Sequence, residues 1–232
     1  MALVISSDLS TIMPDLSSSE IIMLTSMVIL TIFFFFTVHH WYKPRNKAIT
    51  KNAFIQKYKF PQNIRTQYIA KYQNSSISDI RKIEHTLKDY FHICNANRNV
   101  EFIMPSRAVA EYWKLFTEAK VAYNDFCNKA FGIYMYHQKA EYVIDKRFVQ
   151  EGISNTFKAA CVLENIAFEN VIKIPRLFSL DSDIEFNHGY CYTLEKECEN
   201  CFCVHGIVKN HIGDKLEFDD LVIGNIISKA NL

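Results

Sequence analysis

Residues 21–38 read IIMLTSMVILTIFFFFTV, eighteen consecutive positions without a charged side chain. A helix needs about 20 apolar residues to cross about 30 Å of hydrocarbon, so this stretch has nearly the length of a membrane span. Twelve of its residues are Ile, Leu, Val or Phe. At about −0.3 to −0.6 kcal/mol each on the insertion scale, they outweigh the cost of the four Ser and Thr hydroxyls. We therefore predict a transmembrane helix over residues 21–42, with Trp41 and Tyr42 at the headgroup level.

The charges on the two sides of this stretch differ in sign. Residues 1–20 contain three acidic side chains and no Lys or Arg, whereas residues 43–59 contain six Lys or Arg. The positive-inside rule then predicts a single-pass protein of the inner (plasma) membrane, with a short tail outside and the long C-terminal part in the cytoplasm. His39 and His40, beside the aromatic pair, are interpreted as interfacial anchors.

Two other interpretations of the apolar stretch are open. A cleaved signal peptide normally has a basic start, a shorter apolar stretch and a small-residue cleavage site, and here the start is acidic. A buried core helix would have to hide four adjacent Phe residues that face every side of the helix. The membrane anchor is the interpretation that these features favour.

The bulk composition indicates a globular body beyond the anchor. The chain has 232 residues, of which 49% are hydrophobic and 14% aromatic, with only six Gly and five Pro. This is enough apolar matter for one packed domain and argues against disorder. The net charge of +1 offers no general field for polyanions, so we expect no nucleic-acid partner.

Helical periodicity dominates the region after the anchor. We predict a basic juxtamembrane helix or linker over residues 43–60, a helical domain over 61–175 and an irregular Cys-rich extension over 176–232. The strongest pattern starts at Ser76 with capping-box spacing to Asp79, and its apolar residues recur by threes and fours. The predicted fold class is mainly α, a transmembrane helix followed by a helical-bundle-like domain.

Two further helices are predicted within this domain. Pro105 begins a long helix that ends at Gly132, and a second helix covers about Lys139 to Asn165, weakened or kinked at Gly152. The last apolar run, residues 221–227, fits a strand or a helix equally well.

The sharpest cluster of chemically active side chains lies near the C-terminus. It consists of Cys198, Cys201, Cys203 and His205, with Cys191 as an additional candidate. Thiolates at this spacing can bind one zinc ion, although a second pair a dozen or more residues away is missing. Free thiols in a reducing compartment, a redox or disulfide role, and a zinc site all remain open for this cluster. A zinc site here would be structural rather than catalytic, because a full set of thiolates leaves no open position.

Residues 104–137 resemble the core of a family of uncharacterised bacterial proteins named glycine-rich-domain-containing-protein-like. The family has no established reaction, and the resemblance covers roughly residues 60–195. The matching positions are Met104, Pro105, Ser106, Trp113, Phe116, Tyr123, Phe126, Cys127, Phe131, Gly132 and His137, followed downstream by Pro175, Leu177, Phe178, Leu180 and Asp181.

The departures from this family pattern fall on polar positions. The family's Asp is Ala110, its His after the tryptophan is Lys114, and the first His of its closing pair is Tyr136. His137 alone cannot supply the three or four ligands of a metal site. The favoured interpretation is that the polar groups of the pattern cap helices and knit the bundle together.

These observations predict an anchored interaction or scaffold module rather than an enzyme. Its expected partners are the lipid bilayer and a protein at the membrane. The alternative is a zinc-dependent enzyme or a zinc-stabilised domain centred on the residue 198–205 cluster. Asp181 and Asp183 are close enough to chelate a cation, but two acids in a turn are usually solvated.

Overall fold

The computed structural model describes residues 18–139, 146–168, 171–195, 202–204, 207 and 222–225. The fold in these residues is mainly helical, as predicted, with a few short strands. The helices are α1 (Ser18–Lys57), α2 (Gln62–Lys71), α3 (Ile77–Ala96), α4 (Arg107–Glu118), α5 (Lys120–Ala130), α6 (Lys146–Leu163) and α7 (Arg176–Asp183). The strands are β1 (Ile103–Met104), β2 (Tyr136–Lys139), β3 (Tyr192–Thr193), β4 (Phe202–Cys203) and β5 (Val222–Asn225).

The chain divides into two compact units, Met1–Lys47 and Ala48–Leu232. In the first unit, the segment Ile22–His39 has a mean hydropathy of 2.1 and none of it is buried. Its large apolar side chains are between 44% and 72% exposed. All four Ser and Thr hydroxyls of the segment donate to the carbonyl three residues earlier, at 2.8 to 3.0 Å. The polar groups are therefore satisfied within the helix, as a lipid environment requires.

In the second unit, the first residues belong to the core of the domain. Ile55, near the end of α1, is fully buried. The rings of Tyr58 and Phe60 follow and pack on Phe116, with centroids 5.7 and 5.1 Å away. The last residues of the basic segment are thus held by apolar side chains in the core, while Lys57 and Lys59 are exposed.

Local sequence signals set the ends of several helices, and those at Ser76 and Gly132 lie where they were predicted. Pro61 immediately precedes α2, since its fixed φ suits the first turn of a helix. The hydroxyl of Ser76 accepts from the backbone N–H of Asp79, and the Asp79 carboxylate accepts from the backbone N–H of Ser76, which completes the predicted capping box of α3. Gly132 follows α5 with φ +81°, a left-handed conformation that glycine adopts without strain.

The prediction of one long helix from Pro105 to Gly132 is wrong, because the helix is interrupted at Ala119, between α4 and α5. Ala119 leaves the helical region with ψ +60°. On a straight helix Phe116 and Tyr123 would lie two turns apart, about 10 Å along the axis. The break brings their ring centroids to 4.9 Å, so that both rings enter one core.

Helix α6 also differs from its prediction. It begins at Lys146 rather than near Lys139, because Lys139 belongs to β2. It runs unbroken through Gly152, where a Cβ atom would lie 2.8 Å from the side chain of Ile103. Glycine is therefore needed for the close approach of α6 to β1 and does not interrupt the helix.

Two small sheets complete the described fold. In the first, β5 lies between β1 and β2 and is antiparallel to both, so residues 222–225 of the ambiguous apolar run form a strand. In the second, β3 pairs with β4 in parallel. Helix α7 and strands β3, β4 and β5 lie within the segment 176–232 that was predicted to be irregular, and the remainder of its Cys-rich part is outside the described residues.

Candidate functional site

The two halves of the family pattern meet at the start of α4. The buried carboxylate of Asp181, on α7, accepts the hydroxyl of Ser106 at 2.6 Å and the backbone N–H groups of Arg107 and Ala108 at 2.7 and 3.2 Å. It also accepts the N–H of Tyr190 at 2.9 Å. The first backbone N–H groups of a helix have no acceptor within the helix, and the Asp181 carboxylate accepts two of them in α4. Its negative charge also interacts favourably with the positive N-terminal end of the helix dipole.

The environment of Asp181 carries opposing effects on its ionisation. Burial raises the pKa of the carboxyl, whereas its hydrogen bonds with Ser106 and three backbone N–H groups favour the charged form, and the net shift is upward. Gly189 lies against it, since a Cβ there would approach the Asp181 Cβ to 2.7 Å. Asp183, in contrast, is exposed and bonded to the Ser179 hydroxyl. The two acids therefore have separate partners. Asp181 is buried, so the prediction that both acids are solvated is wrong for this residue.

The second meeting point of the pattern is an internal hydrogen-bonded cluster. The indole N–H of Trp113 donates to the Tyr123 hydroxyl at 3.0 Å, and this hydroxyl donates to the carbonyl of Met135 at 2.6 Å. His137 lies edge-on to Trp113, with ring centroids 4.8 Å apart, and its Nε2–H donates to the carbonyl of Ala110 at 3.1 Å. The cluster thereby ties β2 to α4 and α5.

The ionisable groups of this cluster are kept neutral by burial. Burial lowers the pKa of His137, which favours the uncharged imidazole. Burial likewise raises the pKa of the Tyr123 hydroxyl well above its ordinary value. Each polar atom named in the cluster has a partner inside the protein, so the arrangement fastens elements and presents no activated nucleophile or base.

The departures from the family pattern lie around the same cluster. Ala110 contributes only its carbonyl, to His137, and Lys114 is exposed on α4. Tyr136 is 45% exposed and stacks edge-on against Tyr134 at 4.8 Å. Among the residues that the structure describes, no three His, Cys, Asp or Glu side chains are grouped to hold a metal ion.

The predicted zinc ligands lie mostly beyond the described part of the chain. This applies to Cys198, Cys201 and His205, and to the side chain of Cys203, whose backbone forms β4. Cys191 is described and is disulfide-bonded. A disulfide sulfur is not a thiolate, so Cys191 is not a zinc ligand in this state.

The cysteines within the helices are buried free thiols. Burial raises the pKa of Cys161 to about 11, and it also raises the pKa of Cys94 and Cys127. A thiol that stays protonated is a poor nucleophile and a poor metal ligand. These three residues therefore act as small core side chains.

Sequence reasoning missed a polar network that joins three helices. Glu84 on α3 is 7% exposed, and it accepts two hydrogen bonds from the Arg65 guanidinium at 2.6 and 2.8 Å. The hydroxyl of Tyr112 donates to the same carboxylate at 2.5 Å. The only sequence signal was an acidic residue between the apolar positions Ile83 and Leu87 of α3.

Sequence reasoning also missed a groove of about 340 Å³ between the end of α3 and α6. Its lining is mostly apolar, with Phe102 and Val162 among the side chains, and it includes the polar residues His92, Asn155 and Lys158. A groove of this size is at the lower limit of small-molecule sites. The signal would have been His92 and Lys158, polar residues that adjoin the apolar stripes of two predicted helices.

Comparison with known proteins agrees with the chain's resemblance to an uncharacterised family. A family model described as UCP032817-like matches residues 50–215, which is more than half of the chain. The match supports membership of an uncharacterised family, under this description and not under the glycine-rich-domain name. No curated protein and no solved structure matches the chain. The chain belongs to the UCP032817-like family.

Proposed function

We propose that this protein is a membrane-tethered interaction module, anchored by α1 and presenting the domain that begins at residue 48 to a partner on the cytoplasmic face. The observation that carries the proposal is the exposure of Ile22–His39, which has a mean hydropathy of 2.1 and is 0% buried. A core helix of a water-soluble protein would bury such a segment against other elements. Lipid is the environment that accounts for apolar side chains on every face.

A retained anchor is favoured over a cleaved signal sequence. Signal sequences carry an apolar region of about 7 to 15 residues after a basic start. Here the apolar window is 18 residues long, and the residues before it include no Lys or Arg. The helix that contains it continues to Lys57 without interruption.

Two observations bear on the orientation of the domain, and they point in different directions. The six cations of residues 43–59 favour the cytoplasmic side. The disulfide of Cys191 is more typical of an oxidising compartment. We give more weight to the charges because they act during insertion itself, whereas neighbouring thiols can pair and be reduced again after folding.

The membrane proposal is tested by extraction of the intact chain with alkaline carbonate. The wild-type chain should stay in the membrane pellet at its full mass. A variant with Ile29→Arg and Phe33→Arg should move to the supernatant, because each central Arg costs about 2.5 to 3.5 kcal/mol of insertion free energy. Ile49→Arg is the matched control and should stay in the pellet, since Ile49 lies outside the apolar window.

The same experiment distinguishes the competing interpretations. Release of the wild-type chain by carbonate would refute the anchor, and a mature N-terminus downstream of residue 39 would identify a signal sequence. A tag at the C-terminus then reports orientation. The cytoplasmic assignment requires that protease added outside sealed cells leaves the tag intact.

The interaction role is inferred from the anchor together with the absence of a reaction established for the family. The aromatic faces of α4 and α5 pack into the core of the domain, where Trp113, Phe116 and Phe126 are fully buried. A partner must therefore bind the exposed surface of the domain. Site-specific photocrosslinkers at exposed Lys114, Val121 and Lys129 should yield one discrete adduct in membranes. Turnover of a substrate by the purified chain would replace the scaffold proposal by an enzyme.

The zinc alternative stands on the spacing of Cys198, Cys201, Cys203 and His205. Elemental analysis of the purified chain tests it directly. About one zinc per chain, lost on Cys201→Ser but retained on Cys161→Ser, would favour a zinc-stabilised domain. A metal-free, folded chain would remove this alternative.

A further inference from the structure

The groove between α3 and α6 is lined by both apolar and polar side chains. Ile93, Phe102, Ala159 and Leu163 supply apolar lining, and Val162 is 76% exposed at the rim. The polar side chains of the groove are His92, Asn97, Asn155 and Lys158. All of them belong to the unit that begins at Ala48, so the inference below does not depend on the membrane proposal.

A chain of hydrogen bonds assigns the tautomer of His92. The Arg98 guanidinium can only donate, and its bond at 2.8 Å identifies the acceptor end of the Asn95 amide as Oδ1. Asn95 Nδ2 then donates to Asn52 Oδ1 at 2.6 Å, which directs Asn52 Nδ2 to His92 Nε2 at 3.2 Å. Nε2 is therefore the acceptor of the imidazole, and the proton lies on Nδ1.

The Nδ1–H group of His92 has no acceptor among the described residues, although the atom is buried. An unpaired buried donor is unfavourable. His92 lines the groove through other atoms of its side chain while Nδ1 lies beneath the surface, so a small turn of the ring would be needed to bring Nδ1–H to an acceptor in the groove. Burial lowers the pKa of His92, in keeping with a neutral ring that donates one hydrogen bond.

Lys158 supplies a positive charge at the same groove. Its ammonium group lies 5.5 Å from the ring centroid of Phe168, and it forms no ion pair with any carboxylate in the described residues. The groove lining contains no acidic side chain, whereas Glu101 and Glu151 line a separate neighbouring cleft. The groove therefore combines an apolar surface with donors and a cation, and no acidic side chain lines it.

We propose that this groove binds a carboxylate carried on a short aliphatic chain. The apolar lining would cover the hydrocarbon, while the carboxylate oxygens would accept from Lys158, from the amide of Asn155 and from His92. A carboxylate fits because it is a small single anion that presents only acceptors. The volume of about 340 Å³ admits a chain of medium length and excludes a whole phospholipid.

The test uses the full chain in lipid nanodiscs and octanoate labelled with carbon-13 at the carboxyl carbon, with empty nanodiscs as the blank. The chain should bind octanoate saturably, and Lys158→Met should weaken the affinity about threefold to fivefold, as expected for one exposed charge. Lys129→Met is the matched control and should leave the affinity unchanged, because Lys129 is exposed on α5 and does not line the groove. Ala159→Trp should fill the groove and abolish binding.

Octanol, which has the same chain length without the charge, separates carboxylate recognition from apolar adsorption. It should bind more weakly than octanoate, and Lys158→Met should not change its affinity. The imidazole nitrogen resonances of His92 should shift with octanoate and not with octanol. Equal affinity for both ligands, an unchanged affinity of Lys158→Met for octanoate, or no saturable binding above the blank would each overturn the proposal.

Discussion

At the scale of single residues, the buried polar groups of this domain connect elements that are distant in sequence. Asp181 is the clearest example, because both of its carboxylate oxygens accept hydrogen bonds from the start of α4 or from Tyr190. Removing an acceptor would leave these donors buried and unpaired, which usually costs more than the net value of a hydrogen bond. The helix start therefore depends on a side chain more than seventy residues away.

We predict that Asp181→Asn destabilises the domain by about 2 to 4 kcal/mol, because the new amide N–H₂ faces donors where an acceptor stood. Asp183→Asn is the matched control and should cost less than about 0.5 kcal/mol, since Asp183 is exposed. Urea denaturation followed by circular dichroism measures both values. Equal stabilities of the two variants would contradict the capping role.

The histidines make a second prediction at this scale. Burial lowers the pKa of both His92 and His137 below the ordinary 6.5. The unfolded chain then takes up protons at a higher pH than the native state does, so stability is present above pH 6.5 and is lost as pH falls below it. Urea midpoints between pH 8 and 5.5 should fall in this direction.

Glutamine variants separate the histidine contribution from that of other groups. His92→Gln and His137→Gln should each flatten the loss of stability toward low pH. The comparison is needed because the raised pKa of Asp181 acts in the opposite direction: its unfavourable native ionisation is relieved as pH falls. Parallel pH profiles for wild type and both variants would be inconsistent with neutral, buried imidazoles.

At the scale of elements, the end of α1 is a structural part of the domain. Lys51 donates to the carbonyl of Phe131 at 2.6 Å, and Arg98 donates to the same carbonyl at 2.7 Å. Asn52 joins the amide chain that leads to His92. Apolar packing by Ile55 and Phe60 completes the attachment.

Two isoleucines of α1 give a matched test of this packing. Ile55→Ala should destabilise the domain by about 2 to 4 kcal/mol, because the side chain is 0% exposed and its removal leaves a cavity. Ile49→Ala should change stability by less than about 0.5 kcal/mol, since Ile49 is 60% exposed. Thermal and urea unfolding of the two variants measure the difference. A loss of stability in Ile49→Ala as large as that in Ile55→Ala would contradict the assignment of the stabilising contact to the buried position, because helix propensity by itself favours Ala over Ile.

At the scale of the whole molecule, the chain divides into an N-terminal unit with an exposed apolar helix and a domain with its own core. The core joins residues from Ile55 to Ile207, and it includes members of every helix of the second unit. Tyr and Phe rings form much of it, which gives large apolar area and many edge-to-face contacts. Such a core should not require residues 1–47 for folding.

We predict that residues 48–232, expressed without residues 1–47, fold and unfold in one cooperative transition. The mutants of Ile55 should shift this transition as they do in the full chain. A fragment that begins at residue 62 should be less stable, because it lacks Ile55 and Phe60, both of them core residues. Analytical ultracentrifugation and denaturation measure these outcomes, and an aggregated or non-cooperative 48–232 fragment would contradict them.

Several features could be predicted from sequence because their causes are local. The apolar window depends on composition, and the starts of α2 and α3 depend on Pro61 and on the Ser76–Asp79 pair. The break at Ala119 was not predictable in this way, since neighbouring residues contain no Gly or Pro. It arises because rings from both sides must enter one core.

The sequence by itself determined the apolar span, the mainly helical class and the helix starts, because these follow from hydrophobicity, periodicity and the hydrogen-bonding of adjacent residues. The tertiary structure decided which separated residues meet. Only packing brought Asp181 to α4, placed β5 between β1 and β2 and opened the groove beside Lys158. Contacts of this kind depend on the balance of burial and polar satisfaction over the whole core, which no short stretch of sequence contains.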